Sequence, residues 1–427
     1  MSAQPAQPAQ PSRLPVLIVV GGTDPVYRGY CVEAAAAEHR LVLIDNVAPT
    51  GMLADLVADH EVADIREPAQ IIAAGLALAM RHDIAGVLTW EEYALVPTAA
   101  LAERLGVRGN SVASMLACRD KGTTRRVLER AGVPSARSVR VESPELGRSV
   151  AAAIGYPVVL KPASHAASIG VVKVENPEQF ASAWEFASAG AGEQGPEGYG
   201  VLVEEYLDGP EVSVECVTIA GETTALAVTR KEIAFAPYFE EIGHTVMADD
   251  PILPAVALVA RRALSALGVS DGISHVEMRL TATGPRIIEV NARLGGDWIG
   301  RLVRMATGLD LPAIAASIAA DVTPDLTATH AGAAAVRLVY APASGTLAKR
   351  HLGIRPTLRG GAGLREYGWL LPEGARVELP PNGDLDSARI GYLITSGPTL
   401  AAARTALQNA EGALTVRITA DDNAQAA

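Results

Sequence analysis

His275-Val276-Glu277-Met278-Arg279-Leu280, then Thr281-Ala282-Thr283-Gly284-Pro285, then Arg286-Ile287-Ile288-Glu289-Val290-Asn291: two short β-forming runs flank a turn that holds a glycine and a proline. With residues 281–285 as the loop, Leu280 pairs with Arg286, and counting back along both strands places Glu277 opposite Glu289. Asn291 lies two residues on and shares the face of Glu289. Like charges directly opposite each other destabilise a sheet. A divalent cation turns that cost into binding. Two carboxylates and an amide oxygen are hard ligands of the kind Mg2+ accepts, with phosphate and water completing the shell. The other reading is a solvated hairpin with two ordinary surface glutamates. The apolar Ile287, Ile288 and Val290, and the Arg293-Leu294-Gly295-Gly296 that follows, favour a site.

At 427 residues the chain has room for two or three domains with sizeable cores. Apolar residues make up 49 % and aromatics only 4 %, so the core must be mostly Ala, Val, Leu and Ile. A net charge of −12 argues against bulk nucleic-acid binding and gives no reason to expect an anionic membrane partner. An anionic substrate would need a local basic pocket. Cys31, Cys118 and Cys216 are widely spaced and form no C-x-x-C, which suits a reducing cytoplasm. The opening MSAQPAQPAQPS is a Pro/Gln/Ala tail, expected to be disordered, without the basic start and apolar stretch of a signal peptide. The apolar runs, such as residues 71–80, are too short to span a bilayer.

Residues 14–20 read as a buried strand leading into the turn Gly21-Gly22-Thr23-Asp24-Pro25. Helical stretches at 28–38, 67–81 and 93–105 alternate with strands at 40–45 and 85–89, the pattern of a parallel α/β sheet. Asp45 lies about one βαβ unit after Gly21-Gly22, but G-x-G-x-x-G is absent, so this unit reads as scaffold. From 119 the texture changes. A basic helix over 121–131 stops at Gly132-Val133-Pro134. Strands follow at 137–141 and 157–161 with a helix between them, then at 170–174, 200–206, 211–219 and 223–230. Helices at 253–268 and 298–307 bracket the hairpin. Residues 190–200 read as a Gly-rich exposed loop, and 335–427 as a third unit. The mix beyond 119 is α+β.

Lys161 ends an apolar strand, where a lysine can meet phosphate as a point charge or snorkel to solvent. Ser164 to Gly170, including Ser168, offers hydroxyls and backbone amides that can close over phosphate oxygens, although it has one glycine. Glu204-Glu205-Tyr206-Leu207 runs into Gly209-Pro210-Glu211. That segment can present backbone groups to an adenine and Glu211 to a ribose, or be an ordinary strand-turn-strand. His244 follows an expected loop at 233–239 and is a structural or a catalytic histidine. Arg293, near a metal-bound phosphate, can stabilise charge on a transferring group.

The order Lys121, Lys161, small-residue loop, Glu204-Glu205-Tyr206-Leu207, Glu211, Glu277, Glu289-x-Asn291-x-Arg293 resembles the ATP-grasp superfamily of carboxylate–amine ligases over roughly residues 14–325. Thr89-Trp90-Glu91-Glu92-Tyr93, Glu241-x-x-Gly243-His244 and Glu289-x-Asn291-x-Arg293-x-Gly295-Gly296 resemble its L-amino-acid ligase (dipeptide synthetase) branch. The resemblance implies a mixed α/β and α+β chain. After a tail at 1–12 would come a Rossmann-like α/β domain at 13–115, a two-lobed ATP-grasp domain at 116–330 and a small α+β ligase domain at 331–427. Lys121, Lys161 and Ser168 would hold ATP phosphates, Glu204, Glu205, Tyr206 and Leu207 the adenine, and Glu211 the ribose. Glu277, Glu289 and Asn291 would bind Mg2+, with Mn2+ as a substitute. Arg293 would bind the transferred phosphoryl group and the developing oxyanion. Glu92, Glu241, His244, Gly296 and Asp297 would line the amino-acid pocket, Asp297 where related enzymes tune the size of the first substrate. The family's phosphate loop is richer in glycine than His165-Ala166-Ala167 here.

The implied reaction is ADP-forming. A carboxylate attacks the γ-phosphate, and an amine attacks the acyl phosphate to give an amide. His244 or Glu241 would orient or deprotonate the amine, and the segments 164–170 and 232–245 would act as lids. Expected partners are a small carboxylate and a small amine, with no nucleic acid and no membrane, in a cytoplasmic chain that can pair as a homodimer. The alternatives are a ligase for a nucleotide-precursor or specialised-metabolite substrate, and a nucleotide-binding regulator without turnover. The full set Glu277, Glu289, Asn291 and Arg293 speaks against the regulator.

Overall fold

The computed structural model describes residues 16–165, 168–191, 200–357, 360–383 and 385–420. The expected tail at 1–12, Ala166 and Ala167 of the phosphate loop, and most of the Gly-rich stretch 190–200 lie outside those residues. The first unit is a parallel sheet of β1 (Val16–Val20), β2 (Arg40–Asp45), β3 (Val57–Val62) and β4 (Ile84–Thr89), ordered β3-β2-β1-β4. Every position of β1 is apolar and buried, as a strand covered on both faces requires. Helices α1 (Gly29–Ala36), α2 (Met52–Leu56), α3 (Pro68–Ala79) and α4 (Leu95–Leu105) connect and flank it. β3, Val-Ala-Asp-His-Glu-Val, alternates half-buried and exposed at the sheet edge and gives no apolar signal in the sequence. Asp45 clamps the turn after β1: its Oδ2 accepts from Thr23 N and Oγ1, both at 2.8 Å. The carboxylate is therefore scaffold, as the missing glycine fingerprint implied.

Two helices follow, α5 (Val112–Arg119) and α6 (Lys121–Arg130). Asp120 caps α6 by accepting from Thr123 N, which fixes Lys121 at the first helical position. A small antiparallel sheet comprises β5 (Ser138–Val141), β6 (Val158–Pro162), β7 (Val172–Val174) and β8 (Val201–Glu205), ordered β5-β8-β6-β7. It is backed by α7 (Pro144–Ile154) and α8 (Phe180–Ala191), the second of which the sequence reading missed. Val158, Leu160, Val172, Val201 and Val203 make the inner face of its core with Phe180.

The remaining strands are β9 (Glu211–Ile219), β10 (Glu222–Ala234), β11 (Glu240–Met247), β12 (Gly272–Thr281), β13 (Gly284–Asn291), β14 (Ala333–Tyr340), β15 (Gly345–Leu352), β16 (Gly363–Trp369), β17 (Arg376–Val377), β18 (Arg389–Gly397) and β19 (Leu414–Thr419). Eight of them form one sheet, ordered β13-β12-β9-β10-β11-β14-β18-β16. Helices α9 (Leu253–Ala266), α10 (Ile299–Thr307), α11 (Leu311–Ala319), α12 (Leu385–Ala388) and α13 (Leu400–Gly412) complete the fold. The sheet runs unbroken past residue 330, because β11 pairs with β14, His244 opposite Val336. No single helix among the described residues is long and apolar enough to cross a membrane.

Two expectations are corrected here. The hairpin loop is tighter than 281–285: Thr281 pairs with Gly284, Leu280 with Pro285 and Arg279 with Arg286. A bulge at Ile288 then shifts the register by one, and Glu277 does face Glu289. Residues 232–245 are not a lid loop. β10 continues to Ala234 and β11 begins at Glu240, so His244 sits inside a paired ladder, opposite Lys231.

Candidate functional site

Two communicating chambers lie between the small sheet, the large sheet and the C-terminal ends of the N-terminal strands. The first holds about 960 Å3 of free space, part of it open to solvent. Val159, Ile169, Val171, Tyr206, Leu207 and Ile288 give it an apolar end, and Lys121, Lys161, Glu277, Glu289, Asn291 and Arg293 a charged one. Ser168, Glu204, Glu205, Glu211 and Glu241 also line it, so residues from Lys121 to Arg293 meet in one cleft. A flat base against apolar walls and a polyanion against lysines is what such a cleft fits.

The register of β6 and β8 places Val159 opposite Glu204 and Lys161 opposite Leu202. Lys161 Nζ meets Glu204 Oε2 at 2.6 Å, and Arg125 binds the same carboxylate at 2.9 and 3.0 Å. Burial alone would raise the Glu204 carboxyl, but Arg125 and Lys161 hold it down at about 2. Its side chain is thus engaged in holding Lys161 and Arg125. The Glu205 carboxylate is likewise engaged, by Arg286 at 2.9 Å. Lys121, at the start of α6, lies 3.2 Å from Glu289 Oε1 and donates to the His165 carbonyl. Ser168 donates to the Phe239 carbonyl at 2.9 Å, which ties the segment before β7 to the β10–β11 tip.

The hairpin carboxylates differ in their surroundings. Lys231 and His275 both contact Glu277 Oε1, at 2.7 and 3.1 Å. Burial would raise the Glu277 carboxyl, but Lys231 and His275 hold it at about 2. His275 is itself gripped by Glu215 at 2.9 Å, and Gly295 must lack a side chain because a Cβ there would come within 2.8 Å of His275 Nδ1. With its amide nitrogen turned toward them, Asn291 donates to Glu92 Oε2 and Glu289 Oε1, both at 3.1 Å. Turned the other way, the amide oxygen joins Glu92 Oε2 and Glu289 Oε1, three oxygens of the kind Mg2+ accepts.

The second chamber, about 1470 Å3, shares Ser168, Glu241, Glu277 and Arg293 with the first. Glu92, Gly296 and Asp297 line it. Glu92 sits on a 3-10 turn (Glu92–Ala94) and meets Arg119 at 2.8 Å and Arg293 Nε at 2.6 Å. Burial would raise its carboxyl, yet Arg293 and Arg119 keep it at about 2. Asp297 and Trp298 both take positive φ, 49° and 60°, which turns Asp297 toward the C-terminal strands. There Arg389 binds Asp297 Oδ1 at 2.8 Å and the Tyr340 hydroxyl at 2.9 Å.

His244 lines neither chamber and is fully buried, with Nε2 3.1 Å from Glu241 and 3.3 Å from Asp297. Burial would lower its pKa, but the two carboxylates raise it. It bridges the two carboxylates from behind the chamber wall. Lys231, Arg125, Arg119, Arg389 and Tyr340 were missed. Each answers an acid from a distant element, and only the three-dimensional pairing reveals it.

Residues 154–301 match the ATP-grasp domain family. An uncharacterized protein, y4rH, of Sinorhizobium fredii is 29% identical over 92% of this chain and 81% of its own length. Carnosine synthase 1 of Gallus gallus is 28% identical over 72% of this chain, which spans 36% of that protein. The crystal structure of an L-amino acid ligase from Bacillus licheniformis shares the fold, with a TM-score of 0.77 at 21% identity, covering 96% of this chain and 100% of the other.

Proposed function

We propose that this chain, which belongs to the ATP-grasp superfamily of carboxylate–amine ligases, joins the carboxylate of one amino acid to the amine of a second. The observation that carries this reading is the pair of chambers meeting at Glu241, Glu277 and Arg293. One is shaped for a nucleotide, and the other carries charges of both signs, as zwitterions require. The cations of the second chamber, Arg28, Lys231, Arg293 and Arg389, pair with Glu91, Glu277, Glu92 and Asp297.

In this reading a substrate carboxylate oxygen attacks the γ-phosphorus and ADP leaves. The second substrate's amine then attacks the acyl carbon, and the tetrahedral adduct expels phosphate. Lys121 and Lys161 hold phosphate oxygens, with Lys161 fixed by Glu204. Mg2+ held by Glu277, Glu289 and Asn291 would neutralise charge on the phosphates. Arg293, between the chambers, stabilises the oxyanion of the adduct. Glu92 holds that guanidinium in place. Glu241, held between Lys231 and His244, faces the incoming amine.

The test is to mix the protein with Mg-ATP and pooled amino acids and to identify nucleotide and condensation products by mass. ADP with a dipeptide mass is the expected result. ATP binding without turnover on any amino acid would overturn the amino-acid reading and leave a ligase for another acid or amine.

A further inference from the structure

Arg279 lines the first chamber, and the pairing of β12 with β9 sets it opposite Glu211. The bend ahead of β9 lies flat on β12. Gly209 takes φ 134°, and a Cβ on it would come within 2.2 Å of the Leu280 carbonyl oxygen, so only glycine fits. Leu280 N donates to the Pro210 carbonyl and Arg279 Nη1 to the Gly209 carbonyl, both at 2.9 Å. The other arm of that guanidinium, Nη2, lies 2.8 Å from Glu211 Oε2, and the two side chains are 12% and 9% exposed. Lys231 is no substitute. It lies 2.7 Å from Glu241 and Glu277 but 4.0 Å from Glu211 Oε1, beyond hydrogen-bond reach. Oε1 accepts no hydrogen bond among the described residues and is not sealed in the protein, so it is open to the cleft that Glu211 lines. Arg279 fixes one oxygen of the carboxylate and leaves the other for a ligand.

Glu211 stands where the two ends of the chamber meet. On one side Lys231 connects it to Glu277. On the other, the Phe239 ring lies 5.7 Å from the Arg279 guanidinium and 6.4 Å from the Tyr206 ring. A nucleotide with its base at the apolar end and its phosphates on Lys121 and Lys161 has its ribose between them, at Glu211. We infer that Arg279 is a positioning residue, which holds Glu211 so that Oε1 accepts from the ribose hydroxyls and thereby sets the preference for nucleotides that carry them. A carboxylate fixed before the ligand arrives loses no side-chain freedom on binding, whereas one without Arg279 must be ordered by the nucleotide itself. The inference rests on the nucleotide reading of the first chamber and not on which acid or amine is joined.

Calorimetric titration of the full chain reads that preference without turnover. The ligands, each with Mg2+, are ADP and its dideoxyribose analogue, which lacks both ribose hydroxyls. Wild-type protein is expected to bind ADP about tenfold more tightly, the scale of a hydrogen bond to a charged group. Arg279→Met keeps the apolar stem and loses the fork, and the ratio is expected to fall by about fivefold, the scale of ordering one side chain on binding. Arg279→Lys, which keeps a charge near Glu211 without the fork, is expected to fall between the two. A wild-type ratio in Arg279→Met, with both ligands weakened alike or not at all, overturns the inference and makes Arg279 a brace of the bend only. If that variant does not fold, a wild-type ratio in Arg279→Lys does the same. Glu211→Gln isolates the premise: a ratio lost there but kept in Arg279→Met leaves the ribose at Glu211 and removes Arg279 from its recognition. Equal affinities in the wild-type protein, or no binding of ADP, overturn the premise and the inference together.

Discussion

Lys231 Nζ lies 2.7 Å from Glu277 Oε1, and the same buried ammonium reaches Glu241 at 2.7 Å and Glu211 at 4.0 Å. One cation thus compensates three carboxylates. Lys231→Met leaves them facing one another without it. Loss of one partner from a buried ion pair costs about 3–5 kcal/mol, and a fall of that size in unfolding free energy is expected from urea titration. An unchanged midpoint would mean that the three acids are relieved by other groups.

Glu289→Gln removes the charge that the proposed metal site requires while keeping shape. Mg2+-dependent turnover should disappear, with the urea midpoint shifted by no more than about 0.5 kcal/mol in free energy. Turnover near the wild-type rate would sink the hairpin metal site.

Arg293→Ala should lower kcat by about 100-fold, the scale of losing one oxyanion donor. Steady-state kinetics separate the roles. An effect confined to KM would assign Arg293 to substrate binding instead.

Arg389 brings the C-terminal strands to the second chamber through Asp297 and Tyr340. Arg389→Gln is expected to raise the KM for an amino acid by about tenfold or more, the scale of a charged hydrogen bond, while ATP affinity stays constant. Equal losses for both substrates would show a general structural defect.

Stability should form a plateau in pH with two limbs. The carboxyls of Glu204, buried against Arg125 and Lys161, and Glu205, hydrogen-bonded by Arg286, lie at about 2. Their contribution is complete above an unfolded value of about 4.3 and is lost as pH falls toward 2. His275 is the opposite case. Burial lowers its pKa, but Glu215 lifts it to about 9. Its contribution is complete below about 6.5 and is lost as pH rises through 9. Urea midpoints from pH 3 to 10 test both limbs; a midpoint that holds from pH 5 to 3 would contradict the first.

Much of the site was legible because charged residues interrupt apolar strands at Lys161, Glu277 and Glu289. The facing glutamates were found through two misjudgements that cancel: the turn is one register step tighter than 281–285, and the Ile288 bulge restores it. Bulges leave no mark that pattern counting can read. His244 was read as following a loop at 233–239, whereas β10 runs to Ala234, β11 starts at Glu240, and the ladder between them holds His244 opposite Lys231. Arg389 could not be linked to the site at all, since its partner Asp297 lies in another part of the chain, and Tyr340 joins it through Arg389.

The large sheet has a further consequence for anyone dividing this protein. The junction of β11 with β14 is a row of backbone hydrogen bonds that includes His244 and Val336. A chain cut after residue 330 would keep most of the charged cleft but expose β11 as a raw edge, a template for self-association. Exchange of C-terminal segments between relatives would have to match strand register and twist along that row as well as sequence across a linker. The last hundred residues are joined to the catalytic cleft as cloth is, along a woven line.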